Sequence, residues 1–191
     1  LTPAPAVPPG YKYDECSAEA LIARMSVKEG RLVLPDGMSY SLLVLPENDT
    51  LMTPALVQKI KQLVSAGATV LGPRPTASPS LTDFPKCDEE VAALAAEVWG
   101  DCDGRIVTEH TFGKGKVIWG RPLKTVLEQL RAPADFHANV RLNWIHHRAG
   151  DTEIYFVANE SAVSVETKCD FRVRGLQPEL WNPETGEMSR L

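Results

Sequence analysis

The sequence predicts an α/β domain with a parallel sheet, followed by a region of antiparallel strands. The first observation is a nearly unbroken apolar run at residues 41–45, which is typical of a strand buried on both faces. The second is a well-signalled helix after it, followed by another buried strand in "ATVLG". The third is a change of pattern from Asn139 onward, where helical spacing gives way to alternation. A domain boundary is therefore expected near residues 132–138.

The first elements are a short helix and two turns flanked by strands. A helix is expected over residues 17–25, with Ser17 as its N-cap and apolar residues at helical spacing behind it. The stretch "VKEGRLVLPDGMSYS" then contains two turn signals, EG and DG, between strand-like segments. The run at residues 41–45 follows, and we expect it to form the centre of the parallel sheet.

The clearest helix begins at Thr53 and ends before Gly67. Thr53 is a favoured N-cap, Pro54 suits the first helical position, and a glycine is the usual residue just past a helix end. With the strands on either side, this helix completes a strand–helix–strand unit, and the crossover of such a unit is right-handed.

Three further elements complete the α/β domain. A helix is marked by Asp88 and closed by Gly100. The stretch "RIVTEHTFGKGKVIWG" predicts a hairpin with a tight turn at residues 113–115. A last helix carries four apolar residues at helical spacing, which are Leu123, Val126, Leu127 and Leu130.

The region after residue 138 is predicted to consist of strands with one apolar face. In "VSVETKCDFRV", residues 163–173, every second residue is apolar or small, which is typical of a half-buried antiparallel strand. "ELWNPETGEM" predicts a strand that leads into a turn. Because an apolar sheet face needs a cover, we expect the partner sheet to be absent from this sequence or to be supplied by the first domain.

The charge and the apolar runs exclude two classes of partner. A net charge of −5 without clustered Lys or Arg disfavours nucleic acid, since binding to phosphates needs concentrated positive charge. The longest apolar runs are far shorter than the roughly 20 residues that a membrane-spanning helix requires. We therefore expect no nucleic-acid partner and no membrane partner.

The four cysteines do not form a metal-binding pattern. They occur singly, without a C-x-x-C pair or a histidine at ligand spacing, so neither zinc nor another metal is expected. Free, mostly buried thiols are favoured over a single disulfide.

The first ten residues, "LTPAPAVPPG", are typical of a stiff proline-rich linker, and the chain begins with Leu rather than Met. This composition predicts a linker at residues 1–10 and a sequence that starts inside a larger protein.

Two adjacent histidines are the first candidates for a site. His146 and His147 lie in a predicted strand and point to opposite faces, so they cannot act together on one metal or substrate. Each is interpreted first as an isolated sheet residue. His147 and Arg148, beside the turn at residues 149–151, are kept as candidate contacts to a ligand or a neighbouring domain.

The loops that follow the parallel strands are the expected place for a ligand. "PENDTLM" and "GPRPTASPSLTDFPKC" lie there, but no glycine-rich phosphate loop follows the first strand, so no nucleotide, flavin or other cofactor is expected. Arg74, among three prolines, could direct its guanidinium at a carboxylate or a sugar, or it could be a solvated surface residue. No G-x-[CS]-x-G elbow presents a nucleophile, and no catalytic residue is assigned.

Five phrases together resemble one family. They are "GRLVLPDGMSYSLLVLP", "MTPALVQKIKQLVSAGATVLGPRPTASPSL", "FGKGKVIWG", "WIHHRAGDTEIYFVAN" and "PELWNPETGEM". In this order they resemble the region after the catalytic barrel in glycoside hydrolase family 106, the α-L-rhamnosidase family, from Tyr11 to Met188.

The resemblance implies both a fold and a role. It implies a flavodoxin-like or class I glutaminase-like three-layer domain over residues 11–134, akin to the trimerisation domain of some β-galactosidases. The opening of a partial antiparallel β-sandwich is implied over residues 138–191. The family's activity resides in a barrel of roughly 250 residues, which this chain cannot contain. The resemblance therefore implies that the barrel and the rest of the sandwich are partners in a parent enzyme that is secreted or periplasmic.

Three functions are consistent with these observations. The leading one is a non-catalytic accessory segment of a glycosidase that acts on rhamnose-containing glycans. The second is a module that binds a glycan or small ligand through Arg74, His147 or Arg148, with Trp144 and Trp181 as candidate stacking surfaces. The third is a freestanding enzyme of glutaminase-like fold, which would need a thiol with a base beside it.

Overall fold

A computed structural model describes residues 6–190, which divide into two compact units. Unit 1 consists of Lys12–Ala132 together with the described residues before Pro9. Unit 2 consists of Pro9–Tyr11 and residues 133–190. Across this part of the chain the protein is mixed α/β, with four helices and five small sheets. The α/β class predicted from the sequence is confirmed at that level.

Unit 1 begins with a helix and a small antiparallel sheet. Helix α1 (Ala18–Arg24) starts at Ser17, whose Oγ accepts a hydrogen bond from the backbone N–H of Ala20 at 3.2 Å. Strands β1 (Ser26–Lys28), β2 (Arg31–Val33) and β3 (Ser39–Tyr40) follow as an antiparallel sheet in that order. Leu32 of β2 is 1% exposed and packs with Leu21 of α1, so the helix and the sheet share one small core.

A four-stranded sheet forms the middle of unit 1. Its strands are β4 (Leu43–Val44), β5 (Thr69–Leu71), β6 (Glu109–Phe112) and β7 (Gly115–Ile118), in the order β4-β5-β7-β6. The pairs β4-β5 and β5-β7 are parallel, and β6 pairs with β7 as an antiparallel hairpin. The prediction that residues 41–45 form the sheet centre is wrong, because β4 pairs with β5 alone. Strands β5 and β7 occupy the centre, and Val70 and Val117 are completely buried there.

Three helices cover this sheet. Helix α2 (Pro54–Ala66) is capped by Thr53 and stops at Gly67, as predicted. Helix α3 (Lys86–Trp99) begins two residues before Asp88, the residue that marked it in the sequence. Helices α2 and α3 pack on the face that carries Val70 and Val117. Helix α4 (Leu123–Gln129) packs on the opposite face through Val126.

Unit 2 contains six strands in three separate pairs. They are β8 (Phe136–Ala138), β9 (Asn143–Ala149), β10 (Thr152–Ala158), β11 (Cys169–Phe171), β12 (Glu179–Trp181) and β13 (Met188–Arg190). Each pair is antiparallel: β8 with β11, β9 with β10, and β12 with β13. Within the described residues of unit 2, Phe136 and Trp144 are the buried apolar side chains.

The long strand predicted over residues 163–173 is mostly wrong. Only Cys169–Phe171 forms a strand, and Val163 is 70% exposed. The carbonyl of Val163 instead accepts hydrogen bonds from Asn159 Nδ2 and Ser161 Oγ, each at 2.8 Å. Short polar side chains thus satisfy the backbone locally and compete with a strand ladder, which alternation alone does not reveal.

The predicted linker lies at the start of the chain. Residues 1–5 are outside the described residues, whereas Pro9–Tyr11 belong to unit 2, where the carbonyl of Gly10 accepts a hydrogen bond from the N–H of Asp135 at 2.7 Å. Between residues 6 and 190, no helix combines the length and the apolar character needed to cross a bilayer.

Candidate functional site

The hairpin of β9 and β10 brings together several charged and aromatic side chains. The two strands turn tightly at Gly150, whose φ of +61° suits glycine. This turn sets a register in which His146 faces Tyr155 and Arg148 faces Glu153. The inward face of the hairpin therefore carries a ring, a phenol and a carboxylate side by side.

His146 lies between two carboxylates. Its Nδ1 is 2.7 Å from Asp135 Oδ2, and its Nε2 is 2.7 Å from Glu153 Oε2. The imidazole also stacks on the ring of Tyr155, with centroids 4.0 Å apart and planes 9° from parallel. Each ring nitrogen is thus within hydrogen-bonding distance of one carboxylate oxygen, and the ring bridges the two acids.

Asp135 joins the most segments in this cluster. Its Oδ1 accepts from the Tyr155 hydroxyl at 2.8 Å and from Arg172 Nε at 3.1 Å. Its backbone N–H donates to the carbonyl of Gly10, and its own carbonyl accepts from the N–H of Arg172. One residue thus links the start of unit 2, the β9–β10 hairpin and the chain that follows β11. We refer to Asp135, His146, Glu153, Tyr155 and Arg172 as the His146 cluster.

The carboxylate and the imidazole of the cluster are largely buried, whereas its arginine is exposed. The side chains of Asp135 and His146 are each 17% exposed, whereas Arg172 is 49% exposed. Burial raises the pKa of the Tyr155 phenol, and its hydrogen bond to Asp135 raises that pKa further. The phenol therefore stays protonated and keeps donating to the carboxylate.

The carboxylates of the His146 cluster are already engaged with neighbouring side chains, which limits the proton-transfer chemistry that they can perform. Both oxygens of Asp135 lie within hydrogen-bonding distance of groups in the cluster, and Glu153 Oε1 lies 3.6 Å from Arg148 Nε. Groups so engaged with one another stabilise the sheet pairs more readily than they transfer protons to a substrate. The interpretation of His146 as an isolated sheet residue is therefore wrong, since acids from two other segments contact its ring.

The three ligand-contact candidates belong to different units, with Arg74 in unit 1 and His147 and Arg148 in unit 2. Arg74, in unit 1, donates from Nη1 to the carbonyl of Gly100 at 3.3 Å and so fastens one loop to another. His147 is exposed on the outer face of β9, opposite Ile154. Arg148 points to the other face and donates from Nε to the carbonyl of Gly150 at 3.0 Å.

The loop at the carboxyl end of β5 is hydrogen-bonded to helix α3. The Trp99 indole donates to the carbonyl of Gly72 at 3.2 Å, and the N–H of Ser78 donates to Asp88 Oδ1 at 2.8 Å. These bonds use polar groups that a ligand would otherwise contact. Across residues 6–190, no group of three or more His, Cys, Asp or Glu side chains is arranged to hold a metal.

The four cysteines are free thiols, and burial disfavours the thiolate form of two of them. Burial raises the pKa of Cys102 and also that of Cys16. A raised pKa lowers the fraction of thiolate, which is the nucleophilic form. Cys87 is 4% exposed, and its Sγ lies 3.6 Å from the carbonyl of Ser80 and 3.8 Å from the carboxylate of Asp88.

An open groove lies on unit 2 beside the cluster. It has a volume of about 470 Å³ and is bounded by residues 170–174 on one side and by Pro133, Ala134, Phe136 and His137 on the other. We call it the unit 2 groove. Of the two tryptophans expected to stack on a ligand, Trp144 is 9% exposed and Trp181 is 64% exposed, and neither lines the groove.

Comparisons with known proteins match most of this chain to a small part of larger proteins. A family model described as alpha-L-rhamnosidase matches residues 2–191. A protein of Formosa agariphila that carries the provisional name of a beta-glucuronidase is 34% identical over 181 residues, which are 95% of this chain and 14% of that protein. The solved structure of a rhamnosidase from Novosphingobium sp. PP1Y matches with a TM-score of 0.85 at 33% identity, over 96% of this chain and 18% of its own. The chain thus spans less than a fifth of either relative.

Proposed function

This chain belongs to family 106 of the glycoside hydrolases, the alpha-L-rhamnosidases, and from that premise we propose that it is a non-catalytic accessory segment of a larger glycosidase. The parent enzyme would act on rhamnose-containing glycans through a catalytic barrel outside this chain. The family match and the small share of each relative that the chain covers support this proposal.

One observation carries the non-catalytic part of the proposal. Hydrolysis of a glycosidic bond needs two carboxyl groups that face the substrate from opposite sides. The acids that come together here, Asp135 and Glu153, instead face the two nitrogens of the same imidazole. A substrate cannot reach between them without displacing His146.

The proposal includes a finer description of the two units. Unit 1 would be a flavodoxin-like or class I glutaminase-like three-layer domain, and helices on both faces of its parallel strands support that description. Unit 2 would be the opening of a β-sandwich. Ile145, Ile154 and Phe156 share one face of its hairpin and are 48%, 48% and 53% exposed, which is typical of a sheet face that another layer covers.

The partners in this proposal are other parts of the parent enzyme. The catalytic barrel and the remaining strands of the sandwich would pack against this segment, and the parent would be secreted or periplasmic. Exposed apolar side chains at this density favour a protein neighbour, because isolated soluble domains expose few contiguous apolar patches.

Turnover of a chromogenic substrate tests the proposal. The purified chain is incubated with p-nitrophenyl α-L-rhamnopyranoside, with the Novosphingobium rhamnosidase as a positive control and circular dichroism to verify folding. We expect release of nitrophenol at the rate of the blank. Turnover by the folded chain at a rate comparable with the control enzyme would contradict the proposal.

A second function, the binding of a carbohydrate without cleavage, is favoured by the unit 2 groove. The groove combines exposed guanidinium groups with the half-exposed ring of Phe171, and sugars present hydroxyls and apolar C–H faces to such surfaces. The predicted contacts Arg74, His147 and Arg148 do not line this groove. A role for these three residues in ligand binding stays a prediction.

A further inference from the structure

The unit 2 groove carries an excess of positive charge. Arg172 and Arg174 both line it, and its single acidic side chain is Asp170. Asp170 lies 3.7 Å from Lys168 Nζ, which offsets its charge, just as Asp135 offsets the charge of Arg172. Within the described residues, Arg174 has no carboxylate partner.

Arg172 is held in place before any ligand arrives. Its Nε and Nη2 each lie 3.1 Å from Asp135 Oδ1, and its backbone N–H donates to the carbonyl of the same residue. Asp135 is in turn fixed by His146 and Tyr155. A guanidinium fixed in this way loses less conformational entropy on binding, which favours affinity.

The apolar wall of the groove is fixed as well. The ring of Phe171 lies 5.3 Å from that of Phe136 and meets Tyr155 edge-on at 4.8 Å. Phe171 nevertheless remains 43% exposed, whereas Phe136 is 5% exposed. The groove therefore offers one immobile aromatic surface next to two cationic side chains.

We infer that the unit 2 groove binds an acidic sugar, whose carboxylate pairs with Arg174 and Arg172 and whose ring lies against Phe171. The inference rests on the second proposed function and adds the class of ligand to it. A planar guanidinium fork matches a carboxylate with two parallel hydrogen bonds, whereas a neutral sugar offers no charge to pair. The volume of about 470 Å³ is within the range of small-ligand sites.

The net negative charge of the chain opposes the binding of an acidic sugar, so Arg172 and Arg174 are needed to attract it. At a net charge of −5 the chain as a whole repels anions. An acidic sugar would therefore be retained only where cations are locally in excess. Because the groove is open to solvent, added salt weakens the binding by screening.

A matched pair of ligands tests the inference. The ¹⁵N-labelled chain is titrated with methyl β-D-glucuronide and with methyl β-D-glucoside, which differ in the carboxylate. We expect the glucuronide to shift the amide signals of Phe171, Val173 and Arg174, with a Kd at least about tenfold lower than that of the glucoside. Arg174→Ala should raise the Kd for the glucuronide by about tenfold or more. Arg141→Ala, an exposed arginine of unit 2 outside the groove, serves as the control and should leave the Kd unchanged.

Each other outcome overturns a defined part of the inference. Equal affinity for both sugars, unchanged in Arg174→Ala, would leave carbohydrate binding in place and overturn the choice of an acidic ligand. Shifts from sodium acetate as large and as tight as those from the glucuronide would show a bare anion site and overturn the role of the sugar ring. Failure of both sugars to shift groove signals would overturn the inference together with the second proposed function.

Discussion

His146 and His147 show at the residue scale how strand geometry assigns opposite roles to identical neighbours. The ring of His146 is enclosed by Asp135, Glu153 and Tyr155, whereas His147 is exposed on the other face of β9. Because successive strand residues alternate in direction, one peptide step separates a cross-linking residue from a solvated one.

The two histidines therefore form a matched pair for mutation. His146→Ala leaves two partly buried carboxylates without the imidazole that they share, and we expect it to lower the free energy of unfolding of unit 2 by about 2 kcal/mol. His147→Ala should change it by less than about 0.5 kcal/mol, as for other exposed positions. Urea titration followed by the NMR indole signal of Trp144 measures both values. A loss in His146→Ala as small as the one expected for His147→Ala would show that the imidazole adds no stability to the cluster.

Two tyrosines predict that the stability of the fold decreases at alkaline pH. Burial raises the pKa of Tyr155 well above its ordinary value, and burial together with a hydrogen bond to Asp14 raises the pKa of Tyr40 to about 12. A phenol whose folded pKa is raised stabilises the fold below its unfolded pKa of about 10, and this contribution is lost as the pH rises through the folded value. We expect two of the four tyrosines to ionise late when absorbance at 295 nm is followed. Tyr155→Phe should remove one late step.

At the scale of the secondary-structure elements, Gly115 allows β7 to lie against the end of α2. A Cβ added at Gly115 would overlap the backbone oxygens of Ala68 and Val64. The position thus requires glycine for lack of space, since its φ is not in the left-handed region.

A substitution at this contact should separate the two elements. We expect Gly115→Ala to lower the free energy of unfolding of unit 1 by about 3 kcal/mol, because rigid backbone atoms have to move apart. Lys114→Ala in the adjacent turn should change it by less than about 0.5 kcal/mol. The measurement is urea unfolding followed by circular dichroism at 222 nm. A loss in Gly115→Ala as small as that in Lys114→Ala would show that the strand and helix adjust without strain.

Elements with local signals were predictable from the sequence, and those set by distant partners were not. Helix α2 has Thr53, Pro54 and Gly67 in or beside its ends, and each acts on its own backbone. The place of β4 in its sheet depends instead on β5, β6 and β7 pairing with one another. Alternation over residues 163–168 gave no sign that Asn159 and Ser161 bind the backbone of that segment.

The same distinction applies to the His146 cluster. The turn at Gly150 and the alternation of β10 were enough to place Glu153 and Tyr155 on the face of His146. Asp135 and Arg172 are separated by 37 residues, and the hydrogen bonds that Arg172 and Tyr155 donate to Asp135 depend on tertiary structure that no spacing rule encodes. Local signals in the sequence therefore cover three of the five residues of the cluster, which are His146, Glu153 and Tyr155.

On the scale of the whole molecule, the two units differ in how much apolar surface they bury. All helices of the described chain lie in unit 1, where the core includes Trp99, Ile60 and Leu32. Unit 2 buries Phe136 and Trp144 and leaves Trp181 and Met188 each 64% exposed. Since burial of apolar surface is the main stabilising contribution, unit 2 should be the less stable of the two.

This difference predicts two unfolding transitions in urea. Loss of the circular dichroism signal at 222 nm reports unit 1, because it contains the helices, and amide exchange of β9 and β10 reports unit 2. We expect the exchange of unit 2 to reach its unfolded rate at a lower urea concentration than the midpoint of the helix signal. Coincident transitions would mean that the chain unfolds as one cooperative body.

The three strand pairs of unit 2 have a consequence for handling and engineering. Among residues 133–190 every strand pairs with a single neighbouring strand, so its other side has no strand partner within the described residues. Such sides are templates for recruiting strands from other molecules, and the apolar side chains next to them strengthen that tendency. Concentrated stocks of the chain should therefore form cross-β fibrils on storage, and lysines placed along these sides would be the means to prevent it.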